Sequence, residues 1–288
     1  MDLETLNRKF ALGSRLQFVA HPSGLTQAVI ATENCTGSLF LLGAHVSEFQ
    51  PHDADPVLFM SDSANYQEGK AIRGGIPICF PWFGPNKRDP HLPSHGTVRT
   101  ELWEVKSTAK SGDSIKIELT REEGPFLLNY QVWFGKDLEF KLRISNESLI
   151  PQRCEIALHT YFDVADVAGV SIEGLEQLSY LDQLTEETHP ATGQAIRFAA
   201  ETDRIYPGIA EEITLNDAAR NRKLHLKSTG SRSTVVWNPW IAKSQRMADF
   251  GDDEYLRMCC IETANIAEND MQLEPNETQV IGTKISVN

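Results

Sequence analysis

Hydrophobic and polar residues alternate along most of the chain with a period of two. In LEFKLRIS (138–145), Leu138, Phe140, Leu142 and Ile144 oppose Glu139, Lys141, Arg143 and Ser145, the pattern of a strand with one buried and one wet face. SIKIELT (114–120) repeats it with Ile115, Ile117 and Leu119 inward. FLLNYQVWF (126–134) runs into Gly135-Lys136-Asp137, a short turn signal that predicts an antiparallel hairpin with 138–145. Further strands are predicted over 15–20, 28–32, 38–42, 102–107, 154–161, 223–228, 233–237, 256–262 and 279–287. Helical periodicity is scarce, with short helices predicted near 62–69 and 241–249. Many short strands punctuated by Gly, Pro, Asn and Asp predict an all-β antiparallel sandwich or barrel-like sheet. The sequence has no repeat, low-complexity tract or linker-like shift, so residues 1–288 are read as a single domain.

Composition narrows the function classes. Hydrophobic residues make up 41% and charged residues 23%, which is globular. The formal net charge of -13 argues against nucleic acid and anionic membranes as partners, since both demand a basic face. The polar N-terminus lacks a signal-peptide core, and no apolar run approaches membrane-spanning length. Cys35, Cys79, Cys154, Cys259 and Cys260 form an odd set without CxxC spacing, read as buried free thiols of a cytoplasmic protein. The eight histidines are scattered without HxH or HExxH spacing. Nucleophile-elbow, P-loop and dinucleotide motifs are absent too, so the expected chemistry runs on side chains alone, with no metal and no cofactor.

Several segments can carry that chemistry. RGGIPICFPWFGP (73–85) combines donor-less Pro77, Pro81 and Pro85 with Gly74-Gly75, which permits backbone angles and close approaches that other residues resist. Phe80, Trp82 and Phe83 are read as core, whereas the two glycines are expected to leave Arg73 open to a bulky ligand such as phosphate. In SHGTVRTELWEV (94–105), even spacing places His95, Thr97 and Arg99 on one strand face, although spacing alone favours Arg99 in solvent. In CEIALHTYFDVADV (154–167), Cys154, Ile156 and Leu158 share one face and Ala157, His159 and Tyr161 the other. His159 is then either a satisfied core histidine, the more ordinary case, or a pocket group for proton transfer. In YLRMCCIETAN (255–265), Glu262 follows Leu256, Met258 and Cys260 on one face, and is either exposed at the strand end or a paired, working carboxylate.

Taken together, RGGIPICFPWFG, LPSHGTVR, LHTYFDVADV, ETDRIY at 201–206, VVWNP and CIETAN resemble the hexose-6-phosphate mutarotases, or glucose-6-phosphate 1-epimerases. These belong to the aldose 1-epimerase (galactose mutarotase-like) superfamily, and the motifs run in order from about residue 55 to the C-terminus. The resemblance implies an antiparallel β-supersandwich. It implies a catalytic pair at His159 and Glu262, phosphate-binding arginines at Arg73 and Arg99, and a sugar-hydroxyl ligand at Asp203. The implied reaction is cofactor-independent interconversion of the α and β anomers of a hexose 6-phosphate. Glu262, ionised, is expected to take the O1 proton and His159, protonated, to serve the ring oxygen, with His95 donating to that oxygen or positioning the sugar. The expected partner is a small sugar phosphate bound to a monomer. Ser94 stands where some relatives have Gln, and Asp163 where relatives often have a basic residue. The alternatives are a mutarotase of free aldoses and a non-catalytic carbohydrate-binding module on the same fold.

Overall fold

In the computed structural model, which describes residues 1–288, the alternating segments become strands. Strands Phe126–Phe134 and Leu138–Asn146 pair antiparallel in the expected hairpin, with Phe134 opposite Leu138. Their inward Leu138, Phe140, Leu142 and Ile144 are all buried. With Ser114–Glu123 and Glu104–Ser111 on one side and Thr278–Val287, Arg222–Thr229, Ile213–Asp217 and Val170–Glu173 on the other, they form an eight-stranded antiparallel sheet.

A second sheet of eight strands holds Thr202–Pro207, Ser233–Asn238, Met258–Asn265 and Ile156–Leu158 at its centre, with Tyr161–Asp163 also paired to Met258–Asn265. A four-stranded sheet spans Leu16–Ala20 to His45–Pro51, and Gln152–Cys154 pairs with Met271–Leu273. One contiguous hydrophobic core draws residues from all of these sheets. The expected all-β antiparallel supersandwich is the fold that forms.

Local departures have local causes. Leu3–Phe10 is a helix that the strand-dominated pattern hides, started by the Asp2 carboxylate accepting from Thr5 N–H at 2.8 Å. The helix expected over 62–69 does not form. There Asp62 N–H donates to Glu254 Oε1 at 2.7 Å and Ser63 N–H to Ser61 Oγ at 3.1 Å, side-chain bonds that draw the backbone into turns. In place of the helix expected over 241–249, only Trp240–Ser244 is helical. The expected strand 154–161 is broken at Glu155 and again at His159-Thr160.

The second sheet builds the platform for chemistry through its register. Asp203 lies opposite Trp237, Trp237 opposite Cys260, and Cys260 opposite Tyr161, so the four form one row across a single face. Two residues along, Glu262 opposite Val235 projects from that same face. The intervening Cys259, Ile261, Val236 and Phe162 point the other way, into the main core.

Residues 75–77 then lace along 159–161: Tyr161 N–H donates to Gly75 O at 2.9 Å and His159 N–H to Pro77 O at 3.0 Å. Gly74 and Gly75 adopt φ of 109° and 58°, and a Cβ on Gly75 would collide with Val46 O. These glycines therefore close the backbone tightly against Phe59, Met60 and Val46, and the open space that the Arg73 side chain faces has other causes. Gly75→Ala should lower stability by about 2 kcal/mol or more, through a strained φ and a backbone clash. Urea unfolding measures this, and a variant as stable as the parent would contradict the packing described.

Candidate active site

Above this platform lies a cleft of about 400 Å³ whose walls include Arg73, His95, Arg99, His159, Asp203 and Glu262. Residues from distant parts of the chain thus converge on one space. A larger cleft of about 710 Å³ elsewhere is lined by Arg220 and Arg222 but by none of these six. There Arg220 is paired with Asp163 at 2.6 Å and Arg222 donates to the carbonyls of Asp55 and Pro56.

His159 Nε2 lies 3.4 Å from Glu262 Oε1, and the two side chains are 8% and 1% exposed. Glu262 sits inside strand Met258–Asn265, not at an exposed end. His159 occupies the break between two short strands and stacks on Tyr161, with ring centroids 4.7 Å apart and planes 9° from parallel. Each member keeps one buried polar atom without a partner, His159 Nδ1 and Glu262 Oε2. Native folds rarely leave such atoms unpaired, so this is not a satisfied core histidine.

Burial, reinforced by Asp203, raises Glu262 well above the ordinary 4.5, against the opposing pull of Arg99. Burial, reinforced by His95, Arg73 and Arg99, drops His159 well below 6.5. Burial thus disfavours the charged form of both members, pulling the pair's shared proton toward the carboxyl.

The HGTVR segment is not a strand. His95 and Gly96 take φ of 65° and 76°, and Val98–Thr100 is a turn of 3₁₀ helix. Thr97 turns away to donate to Glu123 Oε1 at 2.7 Å, so the expected shared face of His95, Thr97 and Arg99 does not exist. His95 Nδ1 accepts from Gly84 N–H at 3.2 Å. Burial first, then the charges of Arg99, Arg73 and Lys243, pushes its pKa down to about 3. The ring is neutral, and its proton falls on Nε2, a donor for a ligand. Arg99 donates to Ser94 O at 2.8 Å, leaves a buried Nε unpartnered, and makes no ion pair.

Arg73 is held differently. Its Nε and Nη2 donate to Asp249 at 3.2 and 3.0 Å, and its Nη1 to the Tyr161 hydroxyl at 2.9 Å. Asp203 accepts from Gln183 Nε2 at 2.5 Å and lies 3.6 Å from Lys243 Nζ. Burial nevertheless raises its pKa. Gln183, Trp237, Lys243 and Met247 also line the cleft. Trp237 falls within VVWNP, but the others and Asp249 belong to segments with no readable motif. Asp163 lies with Arg220, outside the cleft walls, whereas Ser94 belongs to them. The five cysteines are free and buried, as expected. No helix is long and apolar enough to cross a membrane.

The raised Glu262 has a stability consequence. A group with an elevated folded pKa loses its contribution as pH climbs from its unfolded value through the folded one. Glu262→Gln removes that loss. Its thermal midpoint should exceed the parent's by a margin that grows above pH 4.5, measured by thermal scans over a pH series. A margin that shrinks with pH would contradict a buried, proton-retaining Glu262.

The sequence profile of the aldose 1-epimerase family matches residues 27–286. A protein from Cenchrus ciliaris, provisionally named glucose-6-phosphate 1-epimerase, is 33% identical over 282 residues, covering 91% of this chain and 84% of that one. A provisionally named glucose-6-phosphate 1-epimerase from Escherichia coli is 34% identical over 241 residues, covering 80% of each. The crystal structure of a provisionally described mutarotase from Salmonella typhimurium superposes with a TM-score of 0.89 at 28% identity, covering 96% of this chain and 95% of that one. With this fold, and with these residues gathered in one cleft, the chain belongs to the aldose 1-epimerase family.

Proposed function

We propose that this protein interconverts the α and β anomers of a hexose 6-phosphate, glucose 6-phosphate first among them, without a cofactor. The carrying observation is the His159–Glu262 contact at 3.4 Å, on the floor of a cleft whose Arg99 has no carboxylate partner. Anomer exchange opens the hemiacetal: a base takes the O1 proton, the bond from C1 to the ring oxygen breaks, and an acid protonates that oxygen. The aldehyde rotates, and closure on its other face reverses the transfers. O1 and the ring oxygen share C1, so an acid and a base in mutual contact can serve both.

The pair needs one proton between its members. Burial by itself favours that proton on Glu262. A sugar hydroxyl donating to the carboxylate, and a ring oxygen accepting from the imidazolium, both favour the charged form. The proton then crosses to His159 without changing the net charge. Glu262 becomes the base at O1 and His159 the acid at the ring oxygen. His95 Nε2–H and Asp203 orient the ring, and the unpaired Arg99 takes the phosphate through charge-assisted bonds. The names of the plant and bacterial relatives support the phosphorylated substrate. A cleft of about 400 Å³ lies in the range of small-molecule sites.

Anomer-exchange NMR on glucose 6-phosphate and free glucose tests this reading. The parent should accelerate exchange of the phosphate ester in preference to the free sugar. His159→Ala and Glu262→Gln should each lower kcat by ~10²–10⁴-fold, the range of general acid–base catalysis. Arg99→Ala should raise KM for the phosphate ester by about tenfold or more, one lost charge-assisted contact, with little change for glucose. Equal effects on both sugars would point to a free-aldose mutarotase. Binding without faster exchange would leave a carbohydrate-binding module.

A further inference from the structure

His159 is oriented by stacking rather than by a hydrogen bond. A working imidazole is commonly aimed by a carbonyl or carboxylate on its second nitrogen. His159 Nδ1 is buried and has no such partner, and the one polar side-chain contact of the ring is Glu262 at 3.4 Å. Aromatic neighbours fix the ring plane instead. Tyr161 stacks on it at 4.7 Å and 9°. Trp237 meets both rings edge-on at 5.9 Å, at 80° to His159 and 78° to Tyr161. Phe59 in turn lies 6.5 Å from Tyr161 at 25°.

Tyr161 is itself steered from one atom. It is 1% exposed, and its hydroxyl accepts from Arg73 Nη1 at 2.9 Å, the single side-chain hydrogen bond it makes. Donors approach an oxygen on an sp² carbon near the plane of that carbon, so the guanidinium sets the tilt of the phenol ring. The stack passes that tilt to His159. Arg73 also walls the cleft, as Arg99 does. Asp249 takes its Nε and Nη2 at 3.2 and 3.0 Å, which steadies one edge of the fork. Nη1 keeps a second N–H beyond the one given to Tyr161. An anion seated on Arg73 therefore engages the same nitrogen that steers the phenol.

We propose that Tyr161 is a positioning residue that couples an anion at Arg73 to the alignment of His159, so that the phosphate of a bound sugar speeds the chemical step as well as anchoring the substrate. The inference rests on the hexose-phosphate reading above and adds to it a contribution of the phosphate to kcat. Binding energy from a group remote from C1 goes into ordering the acid–base pair.

The test separates the sugar from its anion. D-Xylose is a pyranose without the sixth carbon and leaves the place of the phosphate vacant. Sulfate is a dianion too weakly basic to catalyse anomer exchange itself. Exchange NMR on D-xylose with the whole chain, corrected for the protein-free rate, is followed as sulfate is added, and calorimetry measures sulfate binding. Sulfate should accelerate the parent's exchange about tenfold, the scale of coupling between two sites. Tyr161→Phe keeps the ring, and should bind sulfate but lose most of the acceleration. Arg73→Lys keeps the charge without the fork, and should likewise bind sulfate and lack the acceleration, a second arm that holds if Tyr161→Phe does not fold. Sulfate that binds the parent without accelerating exchange, or slows it, would overturn the inference, as would equal acceleration of the parent and Tyr161→Phe. A parent that accelerates glucose 6-phosphate exchange yet shows no sulfate response loses the coupling alone, whereas a parent inactive on glucose 6-phosphate fails the hexose-phosphate reading itself.

Discussion

A carboxyl and an imidazole held 3.4 Å apart, almost without water, form the constraint around which the cleft is organised. Neither group favours its charged form there, and each retains an unpartnered polar atom. Such a pair persists only if the surrounding structure over-determines it. Glu262 is fixed by strand Met258–Asn265, paired on both sides in the middle of its sheet. His159 is fixed by its backbone bond to Pro77 O and by the stacked Tyr161 ring. Tyr161 is braced in turn by Arg73, and Arg73 by Asp249.

Charge is organised at two ranges. The chain as a whole carries -13, which opposes an anionic substrate at a distance. Salt confines that opposition to ~8 Å or so, and within the cleft local contacts decide. Of the cleft's cations, Arg73 and Lys243 are neutralised by carboxylates and Arg99 is not. On the proposed reading, recognition of an anionic substrate falls to these local contacts and not to the charge of the chain as a whole.

Much of this was legible in the chain because strands advertise themselves locally. Alternation at 114–145 gave three strands, and the turn at Gly135-Lys136-Asp137 gave their hairpin. The same parity placed Met258 and Cys260 on the face of Glu262, but Leu256, expected with them, lies in the 3₁₀ turn Glu254–Arg257 and is exposed. Parity failed where the backbone leaves the extended region. His95 and Gly96 at positive φ, followed by a 3₁₀ turn, separate Thr97 from its expected neighbours. The Gly74-Gly75 pair signalled unusual backbone angles, but its sense, closing on Val46, depends on a strand elsewhere in the chain. Asp249 was illegible for a related reason. It meets Arg73 across 176 residues of sequence, from the part of the expected 241–249 helix that lies beyond the observed Trp240–Ser244.

The most direct test of the central claim is the pH dependence of kcat/KM for glucose 6-phosphate, followed by anomer-exchange NMR. A buried pair that must hold one proton predicts a bell-shaped profile. Its acid limb, where neutral His159 takes a second proton, should lie below pH 6.5. Its alkaline limb, where the pair's last proton leaves, should lie above pH 4.5 and shift or vanish in Glu262→Gln. A rate that climbs without a maximum from acid to strongly alkaline pH would contradict the shared-proton pair.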